Sequence, residues 1–535
     1  MGEVITLTLN DGLYNAGIVG FLRICNKAHL PYEYGKEDNQ FSFDSSILEK
    51  FTEHYFDTMI ETFQDDIIYT EIMNRISNTE GNRNKKEFTT SFHEDFQYIT
   101  EKMKRASYLS AYEIIRARGE SYNYLETISK IKSNENYDDK IAILEELKMK
   151  MQQHKDVFML KDIAYIKIQP FWSGIAFLHK TKNIEEFGKA FDEKIMQGCR
   201  SYADKNSKKG NVSCIQCGSH MNRVEASLMS WINDVGVDST KKSSAFWNFN
   251  VDAYLCPICT LIYSCIPLGF ALRSSEGIFL NQNNSVRKLY LTNATLPIQE
   301  KVEKKDVFYW AFDRHINNEG ETVTTNEIEN IQVIRKTERG YLFNILSKDK
   351  LIVLNDCRME WKYLVGKYYK KGKEYINVYR EVLNKLLNGG NLYPIIYEAL
   401  WEGIRNNSSV AIVPNLLVIQ SAIYPKAGKK MDSKYNYYII MQGDHVRTRM
   451  LHDNQNENKI KFLSHRLISS LKIRNPYDFI DVILRLYMSL GIAVPNVFMN
   501  TLSEEDEFLS VGYAFLTGLN GGATKDTNES GEMAQ

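Results

Sequence analysis

Residues 253–272 read "AYLCPICTLIYSCIPLGFAL", twenty consecutive positions without a charged side chain. As a helix, that length is enough to span a bilayer. Pro257, Pro267 and Gly269 interrupt it, and Cys256, Cys259 and Cys265 lie inside it. An interrupted apolar run headed by a C-x-x-C pair reads as a metal knuckle leading into buried structure, with a membrane-spanning helix as the alternative. The knuckle needs a second pair of sulfurs, and "NVSCIQCGSH" at 211–220 supplies Cys214 and Cys217.

The chain has eight cysteines in 535 residues. The start, "MGEVITLTLN", has no basic run followed by an apolar core, so a cytoplasmic, reducing setting is expected, where disulfides are disfavoured. Cys214, Cys217, Cys256 and Cys259 then read as a four-thiolate site for structural Zn²⁺. Each C-x-x-C turn aims two sulfurs at one point, and four thiolates close the shell and leave no place for an activated water. Gly218 and Pro257 suit the two turns. The 38 residues between the pairs exceed the usual gap of about 15–20, so an insertion separates the knuckles. His220 is the nearest substitute ligand, and Cys199 and Cys265 read as buried thiols. A redox pair fits poorly, since a thioredoxin-like site needs one C-x-x-C in a βαβ setting.

Within the insertion, Val224–Val235 reads as a short helix and Asp238–Ser244 as a polar loop with Lys241 and Lys242. Before the first pair, "ADKNSKKGN" carries Lys205, Lys208 and Lys209. Lysines stapled beside a rigid metal centre are placed to meet phosphates, although a solvated surface accounts for any one of them.

The pattern predicts an α+β, predominantly α chain of several domains, with a central four-cysteine zinc-knuckle region and a C-terminal helical bundle. Residues 1–200 read as a strand–turn–helix followed by helices, with Gly17 and Gly20 allowing close packing. The helical run breaks at Pro170. Residues 201–272 form the knuckle region and 273–358 a β-rich segment of short strands: "EGIFLNQ", "SVRKLYLTN", "NIQVIRKTE", "GYLFNIL" and "KLIVLND", with a hairpin turn at Gly340. Residues 359–520 return to helices, and 521–535 read as a disordered tail.

The formal net charge of −1 predicts no polyanion partner by itself. The balance is local: residues 358–479 hold 20 Lys and Arg against 10 Asp and Glu. Lys367, Lys370, Lys371 and Lys373 stand among tyrosines, followed by Lys426, Lys429, Lys430 and Lys434, then Arg447 and Arg449. Basic residues interleaved with rings suit a groove for single-stranded nucleic acid, and a solvated helix face is the alternative. No phosphate-binding glycine motif, H-E-x-x-H or G-x-S-x-G is present, and no carboxylate pair stands out, so no enzyme activity is expected. His452–Asp453 is a lone pair lacking the partners a metal-dependent nuclease needs.

The paired cysteines with a wide insertion, the segments "LNDGLYNAGIVGFLRI" and "FWSGIAFLH", and the basic helical C-terminal part together resemble the CXXC–CXXC large subunit of type I-B CRISPR Cascade effector complexes. The resemblance implies a non-catalytic subunit at the crRNA 5′ end. It would recognise the PAM in target duplex DNA, aid R-loop formation beside the displaced strand, contact backbone and small subunits, and recruit a helicase–nuclease in trans. It also implies that the C-terminal bundle resembles the small subunits, which related systems make separately; Met359 and Met431 are possible starts. Cys214, Cys217, Cys256 and Cys259 match the family's cysteines. Duplex contacts are expected from Lys208, Lys209, Asn211, Lys241 and Lys242, with Asn10 and Asn15 as amides able to read groove edges. Single-strand contacts are expected from Lys429, Lys430, Arg447 and Arg449. The rival reading is a zinc-containing RNA-binding or processing protein that acts alone.

Overall fold

The computed structural model describes residues 3–81, 88–133, 136–175, 178, 186–203, 210–235, 253–273, 275–294, 331–406, 408–424, 433–452, 457–502 and 505–522. They are predominantly helical with small sheets and divide into two compact units. The first comprises residues 1–301 and 331–343, the second residues 302–330 and 344–535.

The first unit opens with strand β1 (Val4–Thr8) and helix α1 (Gly12–Lys27), followed by β2 (Glu33–Tyr34) and β3 (Gln40–Asp44). β3 lies between β1 and β2, antiparallel to both. Asp11 starts α1: its Oδ1 accepts from the N–H groups of Leu13 and Tyr14 at 2.9 and 3.0 Å, satisfying two of the free donors of a helix end. α1 is buried from Gly12 to Cys25. Its Phe21 packs between Phe43 of β3 and Phe51, with ring centroids 4.9 and 5.2 Å away. Helices follow as α2 (Phe51–Phe63), α3 (Ile68–Gly81), α4 (Phe88–Met103), α5 (Ala106–Ala117), α6 (Tyr124–Ser133), α7 (Tyr137–Gln153) and α8 (Lys155–Asp162). α8 widens into a π-helical turn over Ile163–Ile168 and ends before Pro170, where the sequence placed a break. Then come α9 (Glu186–Phe191) and α10 (Gln197–Ala203).

The charge-free run lies at the centre of this unit. It folds as β7 (Tyr254–Leu255), α11 (Pro257–Ser264), α12 (Ile266–Gly269) and the start of β8 (Ala271–Arg273), and every position from Ala253 to Leu272 is buried. Among the described residues no helix is long and apolar enough to cross a membrane. The run meets α1 backbone to backbone. A Cβ at Gly17 would lie 2.2 Å from the Ile262 carbonyl oxygen, and one at Gly20 would lie 2.0 Å from that of Cys265. Close approach therefore explains both glycines. Arg23 of α1 donates to the carbonyl oxygens of Leu268 and Asn293, each at 2.5 Å, so a buried guanidinium ties three elements together. Burial lowers its pKa to about 10.

β8, β9 (Glu276–Asn281), β10 (Ile331–Thr337) and β11 (Gly340–Leu346) form one sheet in the order β11-β10-β9-β8. Gly340, with φ +110°, serves the β10–β11 turn. Two expected strands are helices instead. "SVRKLYLTN" is α13 (Val286–Ala294): Val286, Leu289 and Asn293 are buried at helical spacing, and Ser285 Oγ accepts from the Lys288 N–H at 3.4 Å. "KLIVLND" is a helix over Lys348–Asp356, where Ser347 takes the cap position and Asp349 the first turn.

The expected Val224–Val235 helix is also absent. A turn, β6 (Ser227–Leu228) and a 3₁₀ turn over Met229–Trp231 occupy it, because pairing with Tyr254 and Leu255 claims the backbone.

In the second unit, Val378–Leu387, Tyr393–Asn406, Val413–Ile423, Ser433–His452, Glu457–Lys472, Pro476–Ser489 and Glu505–Leu519 are helices. Their core includes Phe479 against Phe508 and Phe498 against Phe515, at 5.5 and 5.3 Å between ring centroids. The unit is not wholly helical after Met359. β12 (Tyr368–Lys371) and β13 (Glu374–Asn377) form an antiparallel hairpin turning at Gly372, φ +63°. A glycine in the left-handed region and closely spaced tyrosines override the helical pattern around them.

Candidate metal centre and nucleic-acid interface

The first cysteine pair sits in a short antiparallel ladder, β4 (Val212–Ser213) with β5 (His220–Met221). The Gly218 N–H donates to the Cys214 carbonyl and the Cys214 N–H to the Ser219 carbonyl, both at 2.9 Å, closing a tight loop around Ile215 and Gln216. Gly218 has φ +72°, which the turn requires. The second pair is built differently. Cys256 is the residue before α11, Pro257 occupies the first helical position, and the Cys259 N–H donates to Cys256 Sγ at 3.4 Å. The first turn of the helix thus holds Cys256 Sγ in place through the Cys259 N–H. Pro257 starts a helix rather than forming a turn within the pair.

The two halves join through the backbone: the Ile215 N–H donates to the Tyr254 carbonyl at 2.8 Å, and Cys214 bridges Tyr254 in parallel fashion. This pairing brings the Sγ atoms of Cys214, Cys217, Cys256 and Cys259 within 4.8 Å of one another. Cys217 and Cys256 are 3.7 Å apart. A tetrahedral ion with Zn–S distances of about 2.3 Å needs its sulfurs about 3.8 Å apart. The donor set and spacing therefore fit a metal ion with four sulfur ligands. His220 stands outside, exposed, with Nδ1 3.2 Å from Ser213 Oγ. Cys199 and Cys265 are buried, and Cys199 donates to the Pro257 carbonyl at 3.1 Å.

The sulfurs share their protons unevenly. Cys217 is held far below the usual thiol range by hydrogen bonds with Cys214, Cys256 and Cys259. Cys214 is pushed up by Cys217 but drawn down by Cys256 and Cys259, and settles at about 7. Cys256 and Cys259 are raised by their bonds to the first pair. A dication binding all four sulfurs would displace the protons they hold.

Three further contacts support the cluster. Tyr14 of α1 places its hydroxyl 3.6 Å from Cys259 Sγ, and burial keeps that hydroxyl protonated, able to donate to sulfur. The Tyr263 hydroxyl donates to Asp11 Oδ2 at 2.7 Å and lies 3.1 Å from Gln216 Oε1. Asn10 Nδ2 donates to the Gln216 carbonyl at 3.0 Å. The start of α1 is therefore bonded to the knuckle loop. Sequence reasoning identified the four sulfurs and missed Tyr14, Asp11 and Tyr263; the available signal was Tyr263 four residues after Cys259, on the same helix face.

The expected nucleic-acid residues fall in three groups. Lys208, Lys209, Lys241, Lys242, Lys429 and Lys430 lie outside the described residues, as do Lys205, Lys426, Met431, Asp453 and positions 523–535. Asn211 is exposed beside the knuckle, its Oδ1 accepting from the Arg223 N–H at 3.3 Å. Asn15 is fully buried and bonds Asn10, Asn281 and Asn283, so it orders its neighbours. Arg447 is half-buried, donating to the Leu519 carbonyl at 3.3 Å and paired with Glu457 at 3.5 Å, whereas Arg449 is exposed two positions on. The Lys370 cluster is on the β12–β13 hairpin. Lys370 faces Tyr375 across the ladder, Tyr368 is two residues from Lys370, and Tyr369 is buried on the opposite face. Tyr368 and Tyr375 are 57% and 72% exposed.

Residues 206–271 match the model of a family described as CRISPR-associated protein (Cas_CXXC_CXXC). Nothing among curated proteins or solved structures matches the chain. The matched stretch contains all four clustered cysteines and supports a CRISPR-associated CXXC–CXXC protein.

Proposed function

We propose that this chain is the non-catalytic large subunit of a type I-B CRISPR Cascade complex. In this reading it holds structural Zn²⁺, recognises the PAM in target duplex DNA, aids R-loop formation, contacts the crRNA 5′ end and recruits a helicase–nuclease in trans. The observation that carries the reading is the four-sulfur cluster within a stretch similar to a CRISPR-associated family. Cys214, Cys217, Cys256 and Cys259 would hold the ion, and a fully sulfur-ligated ion serves structure. It would fix the knuckle loop, and with it Asn10 through the Gln216 carbonyl. Guide pairing supplies sequence specificity in such complexes, so the protein needs only a short duplex reader and backbone contacts. The exposed Asn211 beside the knuckle suits the first role. The Tyr368–Lys370–Tyr375 face suits strand contact, offering charge to phosphate and rings to bases.

The test is affinity purification of the full chain from its native host. Co-purification with a guide RNA and repeated backbone subunits is expected, and loss of target-duplex binding when the chain is omitted. Recovery of the chain alone, bound to diverse RNA, would replace this reading with a stand-alone zinc-containing RNA-binding protein. The exposed tyrosine face is the feature that suits that second reading.

A further inference from the structure

In the first unit, a cleft of about 610 Å³ opens at the head of α1, lined by Asn10, Asn281, Asn283, Gln332, Tyr341 and Phe343 among others. Its volume is within the range of about 300–1,000 Å³ usual for small-molecule sites. Buried Asn15 orders the amides: its Nδ2 donates to Asn281 Oδ1 at 2.9 Å and to Asn283 Oδ1 at 2.5 Å, and its Oδ1 accepts from the Asn10 N–H at 2.8 Å. Asn281 Nδ2 in turn donates to Gln332 Oε1 at 3.0 Å, and Asn283 Nδ2 to the Asn10 carbonyl at 2.9 Å. This chain of bonds fixes which atoms remain. Gln332 keeps its Nε2 donors and Asn10 its Oδ1 acceptor, neither with a partner among the described residues. The Tyr341 hydroxyl is buried and also without a hydrogen-bond partner among them. The open amide atoms of Gln332 and Asn10 are therefore the ones a ligand in the cleft would meet.

The walls specify the ligand's charge and shape. No lysine or arginine lines the cleft among the described residues, and Lys336 nearby is committed to Asp234 at 2.8 Å. Asp234 is neutralised by that pairing and Asp11 caps α1, so among the described residues no cation is left to hold a phosphate. Tyr341 and Phe343 project from the same face of β11 with ring centroids 6.2 Å apart, and Phe343 is 52% exposed. Rings beside an edge that both donates and accepts hydrogen bonds match a neutral, planar heterocycle.

We propose that this cleft receives one unstacked nucleobase of a bound strand, with Phe343 stacking on the ring while Gln332 and Asn10 read its edge. The strand part rests on the nucleic-acid reading above; the heterocycle follows from the cleft alone. Because Asn10 also holds the Gln216 carbonyl, the metal knuckle and the cleft share a wall.

The experiment uses the full chain with single-stranded DNA and RNA carrying 5-iodouracil, irradiated and mapped by peptide mass spectrometry, beside the free nucleoside 5-iodouridine at equal concentration. Crosslinks at Tyr341 or Phe343 from the strand are expected. Phe343→Ala should weaken strand binding about 5- to 150-fold, the equivalent of about 1–3 kcal/mol per stacked base. Since that side chain is half exposed, the variant should melt like wild type. Strand binding with crosslinks only elsewhere would overturn the cleft proposal and leave the functional reading intact. No binding of any strand would overturn both. Equal crosslinking by the free nucleoside would keep the heterocycle and overturn the strand.

Discussion

Gly20→Ala tests the packing that seats the knuckle. A Cβ at this position would lie 2.0 Å from the Cys265 carbonyl oxygen and 2.9 Å from its carbonyl carbon, where ordinary contact begins at 3.4 Å. The obstacle is backbone, so no side chain can swing aside, and α1 must move from the Cys265 corner by more than about 1 Å. Overpacking of this kind costs about 1–3 kcal/mol, and the rigid obstacle places it at the upper end. Alanine recovers about 1 kcal/mol over glycine within a helix. The net loss is therefore about 2 kcal/mol, which lowers the midpoint by roughly 3 °C for a unit of this size. The assay is thermal unfolding of the full chain by circular dichroism. Gly198→Ala is the control: it lies in α10, and its Cβ would be 3.7 Å from Pro257 Cβ, in ordinary contact. That variant should hold or raise the midpoint. A Gly20→Ala protein melting at or above wild type would refute the close-approach argument.

Other outcomes follow from the same geometry. Wild type should carry one zinc per chain by elemental analysis, and Cys214→Ser with Cys256→Ser should lose it and aggregate, since structural zinc contributes about 10–16 kcal/mol in small peptides; a metal-free wild type, or a variant melting normally, contradicts this. Burial raises Asp162 to about 7 against opposing hydrogen bonds from the Tyr69 N–H and the Tyr108 hydroxyl. With the folded value above the ordinary 3.8, the stability linked to this carboxyl is full below about pH 4 and is lost as pH rises through 7. Asp162→Asn should therefore gain relative to wild type between pH 5 and pH 8 in urea titrations, and an equal difference at both pH values argues against it. Tyr368→Ala with Tyr375→Ala should weaken single-strand binding by about 1–3 kcal/mol per lost base contact while leaving the melt unchanged. Buried Tyr369→Ala should instead lower the melt, and unchanged affinity in the double variant removes the hairpin from the interface.

The sequence by itself determined the four sulfurs, the helical character and the glycines that let α1 approach the apolar run. Each is a local signal: C-x-x-C spacing, 3.6-residue periodicity, and small residues within an apolar helix. It could not separate a membrane span from a buried core, since both are charge-free; the packing of α11 and α12 under α1 decided that. "SVRKLYLTN" and "KLIVLND" read as strands because short apolar runs of branched residues serve both structures, and one-sided burial at helical spacing settled on helix. The 224–235 helix gave way because pairing with β7 claims the backbone, a contact about thirty residues away in the chain. Ordering of the Asn15 amides and the meeting of Asn10 with Gln216 join residues more than 200 positions apart. Local sequence cannot encode such distances, so the four-sulfur knuckle was legible in the chain while the cleft beside it exists only in the folded protein.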